Sequence, residues 1–534
     1  MRAMVLLSFL ILFQIFSQTQ ANYPRTRAEL SNYTQTSTYE DVIDFVEKIS
    51  QASDIAYLTN FGKSYEGRDL PLVILSRPRI SSPDELKSSD KLIVLLIGNI
   101  HAGEVEGKEA ILHLIRKFHT DKNFQRLLDR IVILAVPILN ADGNEKISKQ
   151  NRPHQNGPEG GVGVRENSQG LDLNRDFTKL ETPEIKSLIM NVINKFDPHL
   201  VIDCHTTNGS YHGYVLTYAT GLNPNGDQKI YNFVKGKLLP KVTDEMLRRY
   251  NYRTYFYGNF IDPFDPSKGW ITFDHRPRFG TNYVGLLNRF AVLSEAYVYA
   301  DFKTRIDATE KFIEETLKFA FENKDEMLSL IKRADEISTS GKIDSLGIKF
   351  EIKEFDEPVE IYGYRMIEYV DTLTGEKKRK VSDALEIFRT KNYGEFKTVE
   401  KRDVPRAYIF SSKFGEIAMK LIEHGIDVKK VDKSFKGKVE VFVVDSVKKS
   451  ERKFQGHNEL KLFGHFEQRE MEIDGGYYYV PMDQKKFNLI FYLLEPESDD
   501  GLVNWNFFDE FLLKESKGEI IYPVYKLKQT EVER

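Results

Sequence analysis

The chain has 534 residues, of which 41% are hydrophobic and 29% charged, which is the composition of an ordinary globular protein. This length exceeds what one hydrophobic core usually supports, so at least two domains are expected. The formal net charge of −4 argues against a nucleic-acid partner and against electrostatic attachment to membranes. Cys204 is the only cysteine, so the chain can form no internal disulfide.

The first 21 residues have the three-part layout of a secretory signal peptide. Arg2 supplies a positive charge, an apolar run extends from Val5 to Phe16, and small residues lead to a cleavage point after Ala21. The apolar run is too short for an ordinary membrane-spanning helix. We therefore expect a secreted or periplasmic protein without a permanent membrane anchor. An uncleaved N-terminal anchor is the alternative.

Apolar strands alternate with amphipathic helices between residues 39 and 337. The spacing predicts helices over 39–52, 108–118, 183–196 and 306–337, and strands over 72–75, 91–95, 130–137, 199–205 and 289–295. Thr182 is expected to cap the third helix, with Pro183 in its first turn. Residues 144–170, rich in Gly, Asn, Pro and charge, are expected to form a long surface loop. This alternation predicts an α/β fold with a parallel or mixed sheet covered on both faces.

The character of the sequence changes after Thr339-Ser340-Gly341-Lys342, which we interpret as a linker. Beyond it, segments such as 439–444 and 476–480 resemble strands, and one helix is expected near 415–423. We therefore predict a signal peptide over 1–21, an α/β domain over 22–338 and a smaller, β-rich accessory domain over 345–534. No motif in the accessory domain indicates its role.

His101 and Glu104 stand on a loop that leaves a buried strand and enters a helix. In open α/β sheets, ligands bind beyond the carboxyl ends of the strands. An imidazole and a carboxylate three residues apart can hold one divalent cation, and this mixture of ligands suits zinc. An isolated H-x-x-E pair is more often a surface coincidence, so the interpretation depends on a third ligand.

His205 ends a later strand and is the candidate third ligand. Side chains alternate along a strand, so His205 and Asp203 share one face and Cys204 lies on the other. Two histidines and one glutamate leave the fourth position of a tetrahedral zinc ion open for water, which is the arrangement of catalytic sites. The alternative is that His205 is an ordinary histidine with no ligand role.

Three further features indicate chemistry near such a metal. Asn174 and Arg175 place an amide beside a guanidinium, which can fork onto a carboxylate; a salt-bridged surface pair is the alternative. Glu295, at a strand end, is a candidate general base or else a solvated acid. Arg165 is a loop cation that could face a developing oxyanion.

The motifs H-x-x-E, L-D-L-N-R, D-C-H and L-S-E-A-Y, in this order, resemble the zinc metallocarboxypeptidases, the carboxypeptidase A-like peptidases, over roughly residues 35–335. The segment G-K-S-Y-E-G-R at 62–68 and the turn N-A-D-G at 140–143 belong to the same resemblance. It implies a mixed eight-stranded sheet between helices. The spacing of Arg165 resembles the bacterial and cytosolic branches more than the pancreatic enzymes.

The resemblance implies a zinc site and a catalytic base. His101, Glu104 and His205 match the ligands of one zinc ion per chain. Asp172 matches the acid that orients a ligand histidine, as metal-bound imidazoles commonly require. Glu295 matches the catalytic glutamate.

The resemblance also implies residues that bind the substrate. Asn174 and Arg175 match the pair that grips the terminal carboxylate. Arg165 fits the arginine that polarises the scissile carbonyl, and Arg152 is the competing candidate. Tyr283 is the candidate for the family's flexible tyrosine.

The expected activity is that of a metallocarboxypeptidase, which cleaves the last peptide bond of peptides or proteins that have a free C-terminus. Water activated by zinc would attack the carbonyl, and Glu295 would accept its proton. One alternative is a zinc-dependent N-acyl amino acid deacylase or a peptidase of cell-wall stem peptides, because related zinc enzymes share the ligands and the Asn-Arg pair. Another is a zinc-containing binding module without catalysis, against which Glu295 argues.

Overall fold

The computed structural model describes residues 23–51, 53–86, 89–207, 209–513 and 518–528. The signal peptide expected over residues 1–21 lies outside these ranges. In the part of the chain that the structure describes, no helix is both long enough and apolar enough to cross a membrane.

A mixed eight-stranded sheet forms the centre of the chain up to Tyr297. The strands of this part are β1 (Ala56–Lys63), β2 (Asp69–Leu75), β3 (Leu92–Ile97), β4 (Ile131–Val136), β5 (Leu200–Thr207), β6 (Leu216–Ala219), β7 (Thr254–Phe256), β8 (Asn259–Phe260), β9 (Trp270–Ile271) and β10 (Phe290–Tyr297). The sheet has the order β1-β2-β4-β3-β5-β10-β6-β7. Strands β4, β3, β5 and β10 are parallel, and the pairs β1–β2, β2–β4 and β10–β6 are antiparallel. This confirms the predicted mixed eight-stranded sheet.

Helices accompany this sheet along the chain. They are α1 (Arg27–Leu30), α2 (Tyr39–Gln51), α3 (Glu106–Thr120), α4 (Lys122–Gln125), α5 (Ala141–Glu145), α6 (Pro183–Ser187), α7 (Asn194–Phe196), α8 (Gln228–Phe233), α9 (Leu239–Tyr250), α10 (Gly280–Leu286), α11 (Phe302–Glu322) and α12 (Lys324–Thr339). A π-helical segment, Leu188–Ile193, joins α6 to α7. Together these helices provide the apolar stripes that cover the sheet.

Three local predictions differ from the structure. The helix predicted over 306–337 is two helices, because the backbone of Asn323 leaves helical geometry between α11 and α12. The turn predicted at 140–143 begins the short helix α5, which is capped by Asn140 through a 2.9 Å hydrogen bond from the amide of Gly143. Thr182 is the N-cap residue of α6, as predicted, but its hydroxyl donates to Asp176 Oδ2 at 2.6 Å and makes no capping hydrogen bond.

The core of the sheet explains how the H-x-x-E loop is positioned. Every residue of β3, β4 and β5 is buried, as expected for parallel strands covered on both faces. Helix α3 approaches β5 at Gly107, where an added Cβ would lie only 2.4 Å from Cβ of Cys204. This close approach requires glycine and holds the loop before α3 against the end of β5.

The remainder of the described chain is rich in strands, as predicted. Its strands are β11 (Ser345–Lys353), β12 (Val359–Gly363), β13 (Met366–Val370), β14 (Lys377–Val381), β15 (Glu386–Thr390), β16 (Asn392–Tyr393), β17 (Glu395–Asp403), β18 (Ala407–Ser411), β19 (Lys429–Val431), β20 (Phe435–Lys449), β21 (Leu460–Ile473), β22 (Tyr477–Pro481), β23 (Ile520–Ile521) and β24 (Val524–Leu527). Seven of them form one sheet around β18, β20 and β24. The helices are α13 (Gly415–Glu423), α14 (Phe487–Leu494) and α15 (Asp509–Leu512).

Helix α14 joins the two parts of the chain. All eight of its residues are buried, and it packs against α10, α12 and β11. A short, largely apolar segment does not reveal by its periodicity whether it is helix or strand, which is why the sequence did not predict α14. One hydrophobic cluster extends from Val42 to Val524. The domain boundary predicted at 339–342 falls between α12 and β11 and stays a prediction, because this cluster crosses it.

Candidate active site

Three buried side chains, His101, Glu104 and His205, converge near the carboxyl ends of β3 and β5. Nδ1 of His205 lies 3.1 Å from Nδ1 of His101 and 3.0 Å from Oε2 of Glu104, and the remaining distance in this triangle is 3.2 Å. Ligands about 2.0–2.1 Å from a zinc ion, at tetrahedral angles, lie about 3.3 Å apart. The three atoms therefore fit one cation with little movement, and nitrogen and oxygen donors suit zinc.

Carboxylates orient the two histidines of this cluster. Nε2 of His101 lies 3.0 Å from Oδ1 of Asp172, and Nε2 of His205 lies 2.9 Å from Oδ2 of Asp203. Both imidazoles thus turn Nδ1 towards the centre and Nε2 towards a carboxylate, as is common for metal-binding histidines. The sequence placed Asp203 on the same face as His205 but suggested no role for it.

The two candidate arginines make different contacts. Arg152 donates to Oε1 of Glu104 at 2.9 Å and to the carbonyl of Thr206 at 3.0 Å, so protein oxygens occupy it. Arg165 donates from Nε to Oδ2 of Asp172 at 2.9 Å, and its Nη1 lies 3.5 Å from Oε1 of Glu104. Arg165 borders the cavity beside the ligand cluster.

Asn174 and Arg175 line the same cavity, on the short turn after Asp172, and Nδ2 of Asn174 lies 3.4 Å from Nε2 of His205. The side-chain oxygen of Asn174 accepts a 2.8 Å hydrogen bond from the amide of Gly280, which fixes the amide group. The guanidinium carbon of Arg175 lies 3.9 Å from the centre of the Phe279 ring. Burial lowers the pKa of Arg175 to about 10, and Oδ2 of Asp172 is 3.9 Å away. A desolvated guanidinium of this kind favours an anionic ligand.

The cavity enclosed by these groups has a volume of about 280 Å³. The side chains that line it are His101, Glu104, Arg165, Asn174, Arg175, His205, Thr206, Thr207, Tyr257, Phe273, Phe279, Thr281, Leu293 and Glu295. Its charged groups lie near the metal-ligand cluster and at Arg175, whereas Tyr257, Phe273 and Leu293 form an uncharged wall. The cavity can therefore accommodate a small group that carries one negative charge and an apolar portion.

Glu295 is placed beside the ligand cluster by the main sheet. In the parallel pairing of β10 with β5, Glu295 is the partner of His205, so both side chains emerge on the same face. Burial raises the pKa of Glu295 to about 8, although His205 and Arg165 oppose this shift. A carboxylate with a raised pKa near a metal is suited to accepting and returning a proton near neutral pH.

The structure does not bring Tyr283 to the cavity. Its side chain is fully buried in α10, its ring lies 5.7 Å from that of Phe177, and its hydroxyl lies 2.9 Å from Nδ1 of His424. Among the residues that the structure describes, Tyr257 is the tyrosine that lines the cavity. The apolar neighbours of Tyr283 in α10 were the only sequence signal for its burial.

The comparisons with known proteins agree with this geometry. Residues 42–218 match the family described as zinc carboxypeptidase. This segment contains the three candidate metal ligands, His101, Glu104 and His205. The activity class of the protein is that of a metallocarboxypeptidase. Glu295 lies beyond the matched segment of the family, so its role depends on the geometry described above.

Curated relatives match different lengths of the chain. Carboxypeptidase 2 of Trichophyton rubrum is 25% identical over 93% of the chain and 88% of the relative. Mouse carboxypeptidase Z is 34% identical over 24% of the chain and 19% of the relative. A carboxypeptidase A structure from Helicoverpa armigera has a TM-score of 0.41 and 17% identity, covering 59% of this chain and 81% of that one.

Proposed function

We propose that the protein is a zinc-dependent carboxypeptidase that removes single residues from the C-termini of peptides or proteins. One observation carries this proposal: a desolvated arginine, Arg175, faces the same small cavity as three convergent ligand atoms and the buried carboxyl group of Glu295. An anion-binding group in the same small cavity as a metal site would select a substrate by its charged terminus. A metal site alone would not.

In this proposal His101, Glu104 and His205 hold one zinc ion per chain, and Asp172 and Asp203 hold the two imidazoles in place. A bound zinc ion would lower the pKa of a water molecule and polarise the scissile carbonyl. Burial opposes protonation of His205, but the carboxylates of Asp203 and Glu104 raise its pKa well above the ordinary value. Protons and the cation therefore compete for His205, so metal binding should weaken in acid.

The terminal carboxylate of the substrate would bind to Arg175 and Asn174. The guanidinium is held from one side by Phe279 and from the other by the carbonyl of Asn174, which accepts a 2.6 Å hydrogen bond from Nη1. Its remaining N–H groups can fork onto a carboxylate without further ordering of the side chain. The uncharged wall then receives the terminal side chain.

Glu295 would carry the proton through the reaction. It would accept a proton from the attacking water and deliver it to the leaving amine, since its buried carboxyl group has the raised pKa that this exchange needs. Arg165 would stabilise the negative charge that develops on the carbonyl oxygen, because it borders the cavity next to Glu104.

Four substrates test the proposal: a free-acid peptide, the same peptide amidated, an N-acyl amino acid and a cell-wall stem peptide. We expect the free-acid peptide to lose single terminal residues in succession by mass spectrometry, and the amidated peptide to be a far worse substrate. Equal cleavage of both, or internal fragments as first products, would contradict the carboxypeptidase proposal. Hydrolysis restricted to N-acyl amino acids or stem peptides would favour those alternatives.

We further propose that the protein is exported and cleaved after Ala21. The charge, apolar run and small residues of the first 21 positions support this. N-terminal sequencing of protein recovered from outside the cytoplasm should begin at Asn22, and retention of Met1 would favour an anchor.

A further inference from the structure

The C-terminal part of the chain reaches the proposed active site through a tight turn, Phe454-Gln455-Gly456-His457. Phe454 and His457 exchange backbone hydrogen bonds of 2.7 and 3.0 Å, and the two central residues have φ values of 49° and 85°. Both values lie in the left-handed region, which suits glycine, asparagine and aspartate. Glutamine at the first central position is therefore unfavourable for the backbone, and such positions persist where surrounding contacts compensate.

Gln455 makes a contact that compensates for this backbone geometry. Its side-chain oxygen accepts a 2.8 Å hydrogen bond from the backbone amide of Asp172. Asp172 in turn accepts hydrogen bonds from the amide of Asn174 at 2.9 Å and from Nε of Arg165 at 2.9 Å, and it lies 3.0 Å from Nε2 of His101. One hydrogen bond from the accessory region thus fixes the backbone of the residue that connects a metal ligand to the carboxylate-binding pair.

The turn itself is anchored on both sides. Nε2 of His457 lies 2.9 Å from Oε2 of Glu181, and Nδ1 of His457 lies 3.0 Å from Oδ1 of Asn506. The ring of Phe454 stacks on that of Trp505, with centroids 6.2 Å apart. These contacts hold the backbone of the turn in place, so the side chain of Gln455 reaches Asp172 from a fixed position.

A second set of contacts from the same region holds the wall behind Arg175. Asp500 accepts hydrogen bonds from the amide of Arg278 at 2.6 Å and from its Nε at 2.7 Å, and Glu459 accepts from its Nη2 at 2.7 Å. Arg278 is almost fully buried and directly precedes Phe279, on which Arg175 stacks. Contacts from the accessory region therefore fix the chain at Asp172, which precedes the carboxylate-binding pair, and at Arg278, which precedes Phe279.

We propose that the accessory region completes the active site, and that Gln455 is a positioning residue acting through Asp172. Gln455 does not line the cavity and makes no direct contact with the proposed ligands. It restrains the backbone amide of Asp172, and the Asp172 carboxylate thereby holds the side chains of His101 and Arg165 in position. This inference rests on the proposed function, because it concerns the same metal and carboxylate sites.

The variant Gln455→Gly tests the proposal. Glycine accepts the left-handed backbone without strain, so Tm should not fall. Loss of the acceptor should speed hydrogen exchange in the peptide that contains Asp172, measured in the metal-free protein by mass spectrometry. Zinc affinity, from titration against a competing chelator, and kcat/KM at saturating zinc should each fall by about 10-fold, the lower end for residues that orient metal ligands. Gln455→Glu keeps an acceptor and should restore most of the zinc affinity.

Asn251→Gly is the matched control, because Asn251 also has a positive φ of 57° but lies at the end of α9, outside the cavity lining. Asn251→Gly should change neither the hydrogen exchange at Asp172, nor the zinc affinity, nor kcat/KM. Unchanged exchange at Asp172 and unchanged zinc affinity in Gln455→Gly would overturn the positioning role. If the unaltered protein bound no zinc and cleaved no peptide, the proposed function would fail instead, while the exchange experiment would still report on the contact.

Discussion

Arg175 lies over the ring of Phe279, with its guanidinium carbon 3.9 Å from the ring centre. The ring covers one face of the cation and excludes water from it, while the N–H groups at the edge stay available. This arrangement explains how a guanidinium with a pKa lowered by burial to about 10 can stay in a small cavity and select an anionic partner.

The first prediction follows from that contact. Arg175→Ala should lower kcat/KM for free-acid peptides by at least about 10²-fold, because the substrate carboxylate would be buried without its partner. Amidated peptides, which lack the charge, should lose little. Arg175→Lys keeps the charge but not the fork and should recover only part of the activity. An equal loss of kcat/KM for free-acid and amidated peptides would show that Arg175 does not bind the terminal carboxylate.

The second prediction concerns the metal. His205→Ala should abolish both zinc retention, measured by elemental analysis, and peptidase activity, and a strong chelator should have the same effect on the unaltered protein. His465→Ala is the control, since that histidine is exposed on β21 beside Asp445. Full zinc occupancy in His205→Ala would refute the ligand assignment.

The third prediction concerns Glu295. Glu295→Gln should retain zinc and substrate binding while kcat falls by at least about 10²-fold, because the amide cannot accept a proton. Glu322→Gln, at the exposed end of α11, should behave as the unaltered protein. Single-turnover kinetics with zinc bound separates the chemical step from binding. Near-normal turnover would assign the base to another residue.

The fourth prediction concerns stability in acid. Burial, with Lys420 adding to it, lowers the pKa of His424 to about 3 from an ordinary value of 6.5. Above pH 6.5 the imidazole is neutral in both states; below it, the unfolded chain binds a proton that the folded chain excludes, so stability falls towards pH 3. At pH 5 this difference amounts to about 2 kcal/mol.

The variant His424→Gln tests whether this histidine lowers the stability of the protein in acid. The amide can accept from Tyr283 and donate to the carbonyl of Thr178, as the imidazole does at 2.9 and 3.1 Å, but it does not titrate. The fall in Tm between pH 7.5 and pH 5 should therefore be smaller in this variant. The exposed His465→Gln should not change that fall, and equal falls in all three proteins would contradict the prediction.

The fifth prediction concerns truncation. A chain that ends at Ser338 lacks α14, which packs on α10 and α12 and whose buried leucine, isoleucine and phenylalanine side chains each contribute about 1.5–3 kcal/mol. We expect such a chain to be insoluble or to unfold without a cooperative transition in calorimetry. Co-expression with residues 343–534 should restore soluble protein. A soluble, active truncated chain would instead establish two independent domains.

The sequence allowed the α/β sheet to be predicted because its parallel strands are nearly continuous apolar runs. Each of these runs is followed by a polar segment that marks where the strand ends. His101, Glu104 and His205 could be proposed because each follows or ends such a strand, and strand ends meet at one edge of a sheet. The contacts of Asp203 and Arg152 were not assigned, since they depend on which carboxylate or carbonyl lies within 3 Å.

Contacts between distant segments were beyond what the sequence could indicate. Tyr283 was proposed from the resemblance to the zinc metallocarboxypeptidases, but its phenol contacts His424, which lies 141 residues later. Gln455 and Asp172 are 283 residues apart, and no local pattern marks a glutamine as the acceptor for a distant amide. The interface between the two parts of the chain was the least predictable feature for the same reason.

The pairing of Glu295 with His205 across β10 and β5 has a consequence for how this protein can change. The proposed proton acceptor and the proposed metal ligand are spaced by main-chain hydrogen bonds between two neighbouring strands, and not by loops. A shift of one residue between the strands would turn Glu295 to the opposite face, so intermediate spacings are inaccessible. Substitutions at the cavity wall, around Phe273 and Tyr257, can therefore alter the shape of the cavity without changing the spacing between Glu295 and His205.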